Sequence, residues 1–387
     1  MLTLSMLDPG PWYQEMRRTA PVYYDPHFSF FFGAVGGWQL FRYDDVKRAF
    51  IDYETFSSAY LPPTGDDILA DSLMTSDPPR HRDLRSLVNK AFSPATITRL
   101  EPWLYKTCEM LIQSKMQEGE MDFVPHIATP LPNLVLARLL GVPGMQAHQV
   151  SRWTKAITGD PTVMGMEVYQ QNMDEMIAFL LELLEDRRSV PKQDLISDLL
   201  MAEIDGIRLT SKEVIAFCIT ILGAGTETTE AWLMIAMQLL MEYPGLQQHL
   251  SSHPESIPGA LQEILRFRTP IMGLPRIAAK DVEIGGQQIR KGDFVNLVIA
   301  AANRDPEVFN RPDELDITRD TGKQLGFGYG IHYCIGNMLA KMEGRILFET
   351  LLKLGKNYRL PASTTIERHP STFVYSFPSL PVRFEMR

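Results

Sequence analysis

The sequence predicts a mainly α fold with a smaller β portion. Three observations carry this. Apolar residues recur at mostly helical spacing from Arg80 to about Asp186, and again from Thr210 to Phe267. The segment "RIAAKDVEIGGQQIRKGDFVNLVIAAANRD" then changes to strand-like runs around Gly285-Gly286 and Lys291-Gly292. Last, a helical pattern over Asn337–Leu354 gives way to a tail that reads as a final hairpin. No low-complexity linker or internal repeat divides the 387 residues, so one domain over 1–387 is expected.

Taken in order, "FSFFF" and "WQLF" flank Gly33 to Gly37 and read as a hairpin. "DDVKRAF" reads as a short helix capped by Asp44 or Asp45. The Pro/Asp/Ser-rich run "SSAYLPPTGDDILADSLMTSDPP" is a long loop of the kind that often serves as a lid. The helical region that follows breaks at Ser93-Pro94, "MDFVP", "GVPG" and "TGDPTVMG", and a further helix covers roughly Asp194–Glu203. Thr210-Ser211-Lys212-Glu213 resembles a capping box and opens the longest helix, which Pro244-Gly245 ends near Tyr243. Another helix covers about Pro258–Phe267.

Composition narrows the function. Apolar residues make up 45% and charged residues 22%, an ordinary globular balance. A formal charge of −9 argues against a general nucleic-acid binder. The N-terminus lacks the charged start and apolar run of a signal peptide, and "VIAFCITILGAG" is short for a membrane span. Three distant cysteines, Cys108, Cys218 and Cys334, fit a reducing cytoplasm rather than a disulfide scaffold. No membrane association is expected.

Cys334 stands apart. It lies in "LGFGYGIHYCIGNMLAKMEGRI", behind Gly328 and Gly330, ahead of Gly336 and a helix. Glycines let a backbone approach a large flat ligand and take positive φ. The unpaired N–H groups at a helix start favour a thiolate over a thiol. Taken alone, the residues equally read as a small buried cysteine in a tight loop.

The full pattern Phe327-Gly328-x-Gly330-x-His332-x-Cys334-x-Gly336, followed by Ala340 and Glu343, resembles the haem-ligand loop of the cytochrome P450 family. That resemblance covers nearly the whole chain. It implies the P450 fold, with haem b (iron protoporphyrin IX) between a long distal helix and a proximal cysteine loop. It makes Cys334 the axial iron ligand, with Phe327 packed near the thiolate and neighbouring N–H groups tuning the iron.

Three further signatures match the family. "LGAGTETTE" is expected to interrupt the longest helix, where each interior glycine costs about 1 kcal/mol relative to alanine. Thr228 could bond back to the Ala224 carbonyl and bend the helix. Close packing against a neighbour explains the small residues as well. Ala224-Gly225-x-Glu227-Thr228 resembles the distal helix motif, which implies that Thr228 and Glu227 deliver protons during dioxygen activation. His81 and Arg85, at i and i+4, share a helix face and resemble the family's propionate-binding pair. Arg276 matches a strand arginine with the same role, and His332 is a fourth candidate. Glu263 and Arg266 match a structural Glu-x-x-Arg pair, usually completed by a downstream arginine. Here Glu314 stands where that arginine is often found, which leaves open whether Arg319, or any arginine, closes the network.

The resemblance implies a monooxygenase that hydroxylates or epoxidises a hydrophobic small molecule, using dioxygen and electrons from a separate ferredoxin or flavodoxin. Substrate contacts would come from Leu61, Ile68, Leu73, Val163, Met164, Met166, Phe217, Ile221, Ile271, Met272 and Phe377. Arg80, Arg82, Lys90, Arg99 and Lys341 would form a basic docking patch for an acidic partner. A peroxide-using peroxygenase is a second reading, and a non-catalytic haem-binding sensor a third. The intact Glu227–Thr228 pair favours oxygen activation.

Overall fold

A computed structural model describes residues 9–30, 34–60, 72–142, 147–158, 164–362 and 364–387. In chain order the first elements are α1 (Gly10–Thr19), β1 (Val22–Ser29), β2 (Val35–Leu40), α2 (Tyr43–Ile51) and β3 (Phe56–Ser57). Then come α3 (Arg80–Ala91), α4 (Pro94–Thr98), α5 (Glu101–Met116), β4 (Glu120–Asp122) and a π-helical turn (Val124–Ala128). Next are α6 (Pro130–Leu139), α7 (Ala147–Thr158), α8 (Met166–Ser189), α9 (Leu195–Met201), β5 (Glu203–Ile204) and β6 (Ile207–Arg208). The long helix α10 (Ser211–Glu242) precedes α11 (Pro244–Ser252) and α12 (Ile257–Phe267). The last third holds β7 (Leu274–Ala278), β8 (Val282–Ile284), β9 (Gln287–Ile289), β10 (Phe294–Leu297) and α13 (Ile299–Ala302). It closes with α14 (Asn337–Leu354), β11 (Gly355–Arg359) and β12 (Pro381–Met386).

These elements pack as two compact units. One comprises Met1–Ser57, Leu104–Ala128 and Thr228–Arg387; the other comprises Ser58–Trp103 and Thr129–Glu227. The first holds a five-stranded sheet of order β1-β2-β10-β7-β3, in which β10 runs parallel to β2 and the other pairs are antiparallel. It also holds the three-stranded sheet β11-β12-β4 and the β8–β9 hairpin. Leu40, Val46, Phe50, Phe56, Val295, Leu297 and Leu325 form a buried cluster against the larger sheet. Each such side chain contributes about 1.5–3 kcal/mol on burial. Among its described residues the second unit is helical apart from the short β5–β6 ladder.

Most expected elements form where their residues place them. Asn337–Leu354 is a helix over its full expected span. The capping box is reciprocal: Thr210 N–H donates to Glu213 Oε2 at 2.8 Å, and Glu213 N–H donates to Thr210 Oγ1 at 3.3 Å. Gly285 and Gly286, at φ 57° and 78°, close the tight β8–β9 turn.

Other expectations change. The cap of α2 is not Asp44 or Asp45. Its Tyr43 N–H donates instead to Asp305 Oδ2 at 2.9 Å, a carboxylate 262 residues away. Helices α1 and α11 were not anticipated. Pro244 ends α10 but sits at the first position of α11, where its missing N–H costs nothing. The tail strands do pair, but β12 returns after an excursion of 21 residues and also pairs with β4. The glycines of "LGAGTETTE" leave α10 unbroken. Helix α10 is long and apolar enough to cross a membrane, yet 67% of its most apolar window is buried in the protein, as in a core helix.

Candidate functional site

The cysteine loop is built by short-range constraints. Gly328 and Gly330 hold φ of 72° and 70°, the left-handed region that glycine tolerates. Gly330 also passes so close to α2 that an added Cβ would lie 2.8 Å from the Phe50 carbonyl oxygen. Gly328 N–H donates to Leu325 O at 2.8 Å, and Cys334 N–H donates back to Phe327 O at 2.8 Å. Asn337 Nδ2 donates to Cys334 O at 2.8 Å, tying the loop to the first turn of α14. Cys334 is half-buried, whereas Cys108 and Cys218 are buried in helices, where desolvation pushes Cys218 up to about 12 and Cys108 higher.

Phe327 lies beside the thiol loop. Trp232 of α10 meets its ring edge-on at 6.1 Å, and Lys341 Nζ sits 5.1 Å from its centroid. Burial lowers the Lys341 pKa while the nearby Cys334 raises it, so the ammonium is close enough to favour a thiolate. Gly336 caps α14, and Ala340 N–H donates to its carbonyl at 2.9 Å. His332 ends a short 3₁₀ turn two residues before Cys334. Arg276 is buried on β7 with its guanidinium 5.4 Å from the ring of Phe50, the residue whose side chain faces Gly328 and whose backbone faces Gly330. Neither Phe50 nor Trp232 was singled out from sequence, because nothing local marks an apolar residue as a support for a distant loop.

Glu263 and Arg266 are fully buried rather than a surface pair. Arg266 donates to both carboxylate oxygens at 2.7 Å. Arg319 supplies the uncertain third member, its Nε donating to Glu263 Oε1 at 3.0 Å. Glu314 contributes its carbonyl instead, accepting from Arg266 and Arg319 at 3.2 Å each. Arg266 Nη1 also donates to Asn303 O at 2.9 Å, and Asn303 Oδ1 accepts from Leu325 N–H at 2.7 Å. Asn303 therefore links the Glu-x-x-Arg pair to the start of the cysteine loop.

In the helical unit, His81 is buried on α3 with Arg85 half-buried one turn on. Burial, and then the Arg85 charge, lower the His81 pKa to about 4, so the imidazole is neutral at pH 7. Arg80 pairs with Glu213 in the first turn of α10. Along α10 the central residues are buried except a stripe at helical spacing. Ala224 is exposed, and Thr220, Gly225, Glu227 and Thr228 are half-buried. Thr220 and Thr226 donate back to carbonyls four residues earlier, at 2.7 and 2.8 Å, the bond anticipated for Thr228. Gly225 has a packing role: an added Cβ would lie 3.1 Å from Leu136 Cδ1 of α6.

The candidate substrate contacts divide. Leu61, Ile68 and Val163 lie outside the described residues. Leu73, Phe217, Ile221, Met272 and Phe377 are buried, Ile271 and Met164 half-buried, and Met166 exposed. Ile271 bridges to Val374, which joins the β7 entry to the tail turn. The basic docking residues of the helical unit already have partners. Besides the Arg80 pair, Arg82 lies 3.9 Å from Asp83, Lys90 donates to Glu203 O at 2.8 Å, and Arg99 lies 3.4 Å from Asp198.

These residues fit a haem. The donor set holds one half-buried thiol in a loop whose Gly328 and Gly330 take positive φ. Arg276 and His332 in the first unit, and His81 and Arg85 in the helical unit, are each of a type that donates to carboxylates. The α10 stripe offers small side chains, an alcohol and an acid.

The comparisons agree. The Cytochrome P450 family profile matches residues 6–257 and 257–361. A putative cytochrome P450 YjiB of Bacillus subtilis is 37% identical over 382 residues, covering 97% of this chain and 93% of the relative. The cyclomarin C epoxidase CymV of Salinispora arenicola is 36% identical, covering 88% and 87%. The crystal structure of CYP109E1 from Bacillus megaterium with corticosterone superposes with a TM-score of 0.88 at 33% identity, covering 98% of each chain. The chain belongs to the cytochrome P450 family of haem-dependent monooxygenases.

Proposed function

We propose that this enzyme inserts one oxygen atom into a hydrophobic small molecule, by hydroxylation or epoxidation, with electrons from a separate ferredoxin or flavodoxin. The haem, when bound, supplies one-electron and dioxygen chemistry. The chain supplies the rest. Cys334 would give the iron a thiolate ligand, its backbone N–H held by the Phe327 carbonyl and its own carbonyl by Asn337 at the start of α14. Arg276, His81, Arg85 and His332 bind the propionates. Phe327, Gly328, Gly336, Ala224, Gly225 and Ala340 shape the space around the macrocycle. Glu227 would accept protons from solvent and Thr228 would hold its hydroxyl proton at Oγ1 for the oxygen chemistry. All of these act within one catalytic domain over 1–387, since the family match spans both compact units, and the enzyme works in the cytoplasm.

The observation that carries the reading is the cysteine loop, with its positive-φ glycines and half-buried thiol. Two relatives support the chemistry and substrate class: one is named an epoxidase, and one was solved with a steroid. The test is the ferrous carbonyl spectrum of the haem-loaded protein, followed by a spectral binding screen of apolar compounds and product analysis with a surrogate reductase. A red-displaced Soret band that disappears in Cys334→Ser is expected. A normal Soret position in the wild type overturns the ligand assignment. Product formed with peroxide but not with NAD(P)H, ferredoxin and reductase overturns the electron-donor assignment.

A further inference from the structure

Away from the haem residues, the helical unit carries a cavity of about 350 Å³ lined by Arg187, Arg188, Pro191, Ser197, Leu200, Met201, Arg208 and Leu209. The size falls in the range of small-molecule sites. Its lining holds three arginines and no carboxylate, in a chain whose formal charge is −9. Arg187 is a structural member of that set. It is buried, donates to Asp194 Oδ2 at 2.5 Å and to Gly141 O at 2.9 Å, and pairs with Asp186.

The other two are surface cations with spare capacity. Arg188 donates to Ser211 Oγ at 2.6 Å and lies 3.2 Å from Glu185, with 47% of its side chain exposed. Arg208 donates to Glu203 at 2.6 Å and is 64% exposed. Each guanidinium has five N–H donors, so these contacts leave several for a ligand. Apart from Ser197, whose hydroxyl accepts from Lys192 N–H at 2.9 Å, the rest of the wall is apolar: Pro191, Leu200, Met201 and Leu209. Met201 is 57% exposed, and Val190 and Ile207, next in the chain to Pro191 and Arg208, are 59% and 51% exposed.

We propose that this cavity binds a small organic anion with an apolar body, a carboxylate on a short alkyl or ring skeleton, gripped by Arg188 and Arg208. An inorganic ion would leave the apolar wall unused, and a neutral apolar molecule would leave the spare N–H donors of Arg188 and Arg208 unused. The site is separate from the haem residues and independent of the reading given to them. Arg188 also holds Ser211, the first residue of α10, so an anion on Arg188 competes for the group that secures the start of that helix.

The test is calorimetric titration of the haem-loaded full chain with decanoate, with decanol and formate as comparators. It is run on wild type and on the Arg188→Gln/Arg208→Gln variant, with the Soret band recorded in parallel. Wild type is expected to show a decanoate site that weakens at least about tenfold in the variant and with rising salt. Decanol and formate bind at least tenfold more weakly there. Decanoate entering the haem site moves the Soret band equally in both proteins and so separates the two events. Identical isotherms for wild type and variant, or decanol binding as tightly as decanoate, overturn the proposal. Should the double variant misfold, Arg208→Gln alone, at the more exposed residue, decides by the same criteria.

Discussion

Glu343 is a carboxyl group with 2% exposure, and its Oε2 has no hydrogen-bond partner among the described residues. Burial raises its pKa well above the ordinary carboxylate value, so the folded protein keeps this proton to a higher pH than a free carboxylate does. The folded state then holds a proton that the unfolded chain loses above about pH 4.3. Stability must therefore fall as pH rises through that window, by up to about 1.4 kcal/mol per pH unit. Glu343→Gln keeps the shape and removes the titration. The variant is expected to melt higher than wild type at pH 8 and with a flatter dependence between pH 5 and 8; parallel melting curves across pH would refute this. Thr228 and Thr226 offer a second contrast. Thr226 is buried and bonded to Leu222 O, whereas Thr228 lies on the half-exposed stripe. Thr228→Ala is expected to reduce product turnover roughly 10²-fold with unchanged haem content and melting temperature. A destabilised Thr228→Ala variant would mark a structural role instead.

At the scale of elements, the Glu263–Arg266–Arg319 network joins α12 to the segment before the cysteine loop. Buried charges of this kind are worth little as a net gain but are costly to break. Arg319→Met leaves Glu263 with one cation in place of two and opens the contacts to the Arg311 and Glu314 carbonyls. A loss of about 3 kcal/mol is expected in denaturant unfolding, together with weaker haem retention, because Asn303 passes the disturbance to Leu325. Unfolding midpoints and haem release rates check both. The capping box of α10 is a smaller device: Thr210→Ala is expected to cost about 1 kcal/mol.

At the scale of the whole molecule, a chain of charge −9 presents basic side chains locally on α3, and their internal partners are weak surface contacts. An acidic electron donor can compete for them. Charge reversal at Arg82 and Lys90 is expected to slow electron transfer more at low salt than at high salt, since screening removes long-range attraction. Stopped-flow reduction at two ionic strengths measures this; an equal effect at both would sink the docking role.

The cysteine loop, the capping box, the span of α14 and the β8–β9 turn were all legible in sequence. Each is a local rule: glycine tolerates positive φ, Thr and Glu three residues apart satisfy each other's N–H groups, and apolar spacing sets a helix face. The family pattern around Cys334, Thr228 and Arg266 was legible for the same reason, since its residues are close in the chain. What only the tertiary structure decided involves partners far apart in sequence. Asp305 caps α2 across 262 residues, Asn303 couples Arg266 to Leu325, Arg319 rather than Glu314 supplies the third charge, and Phe50 backs both loop glycines. A pattern read along the chain registers which hydrogen-bonding groups a segment has left over. Which distant group meets them is fixed only when burial forces every such group to find a partner.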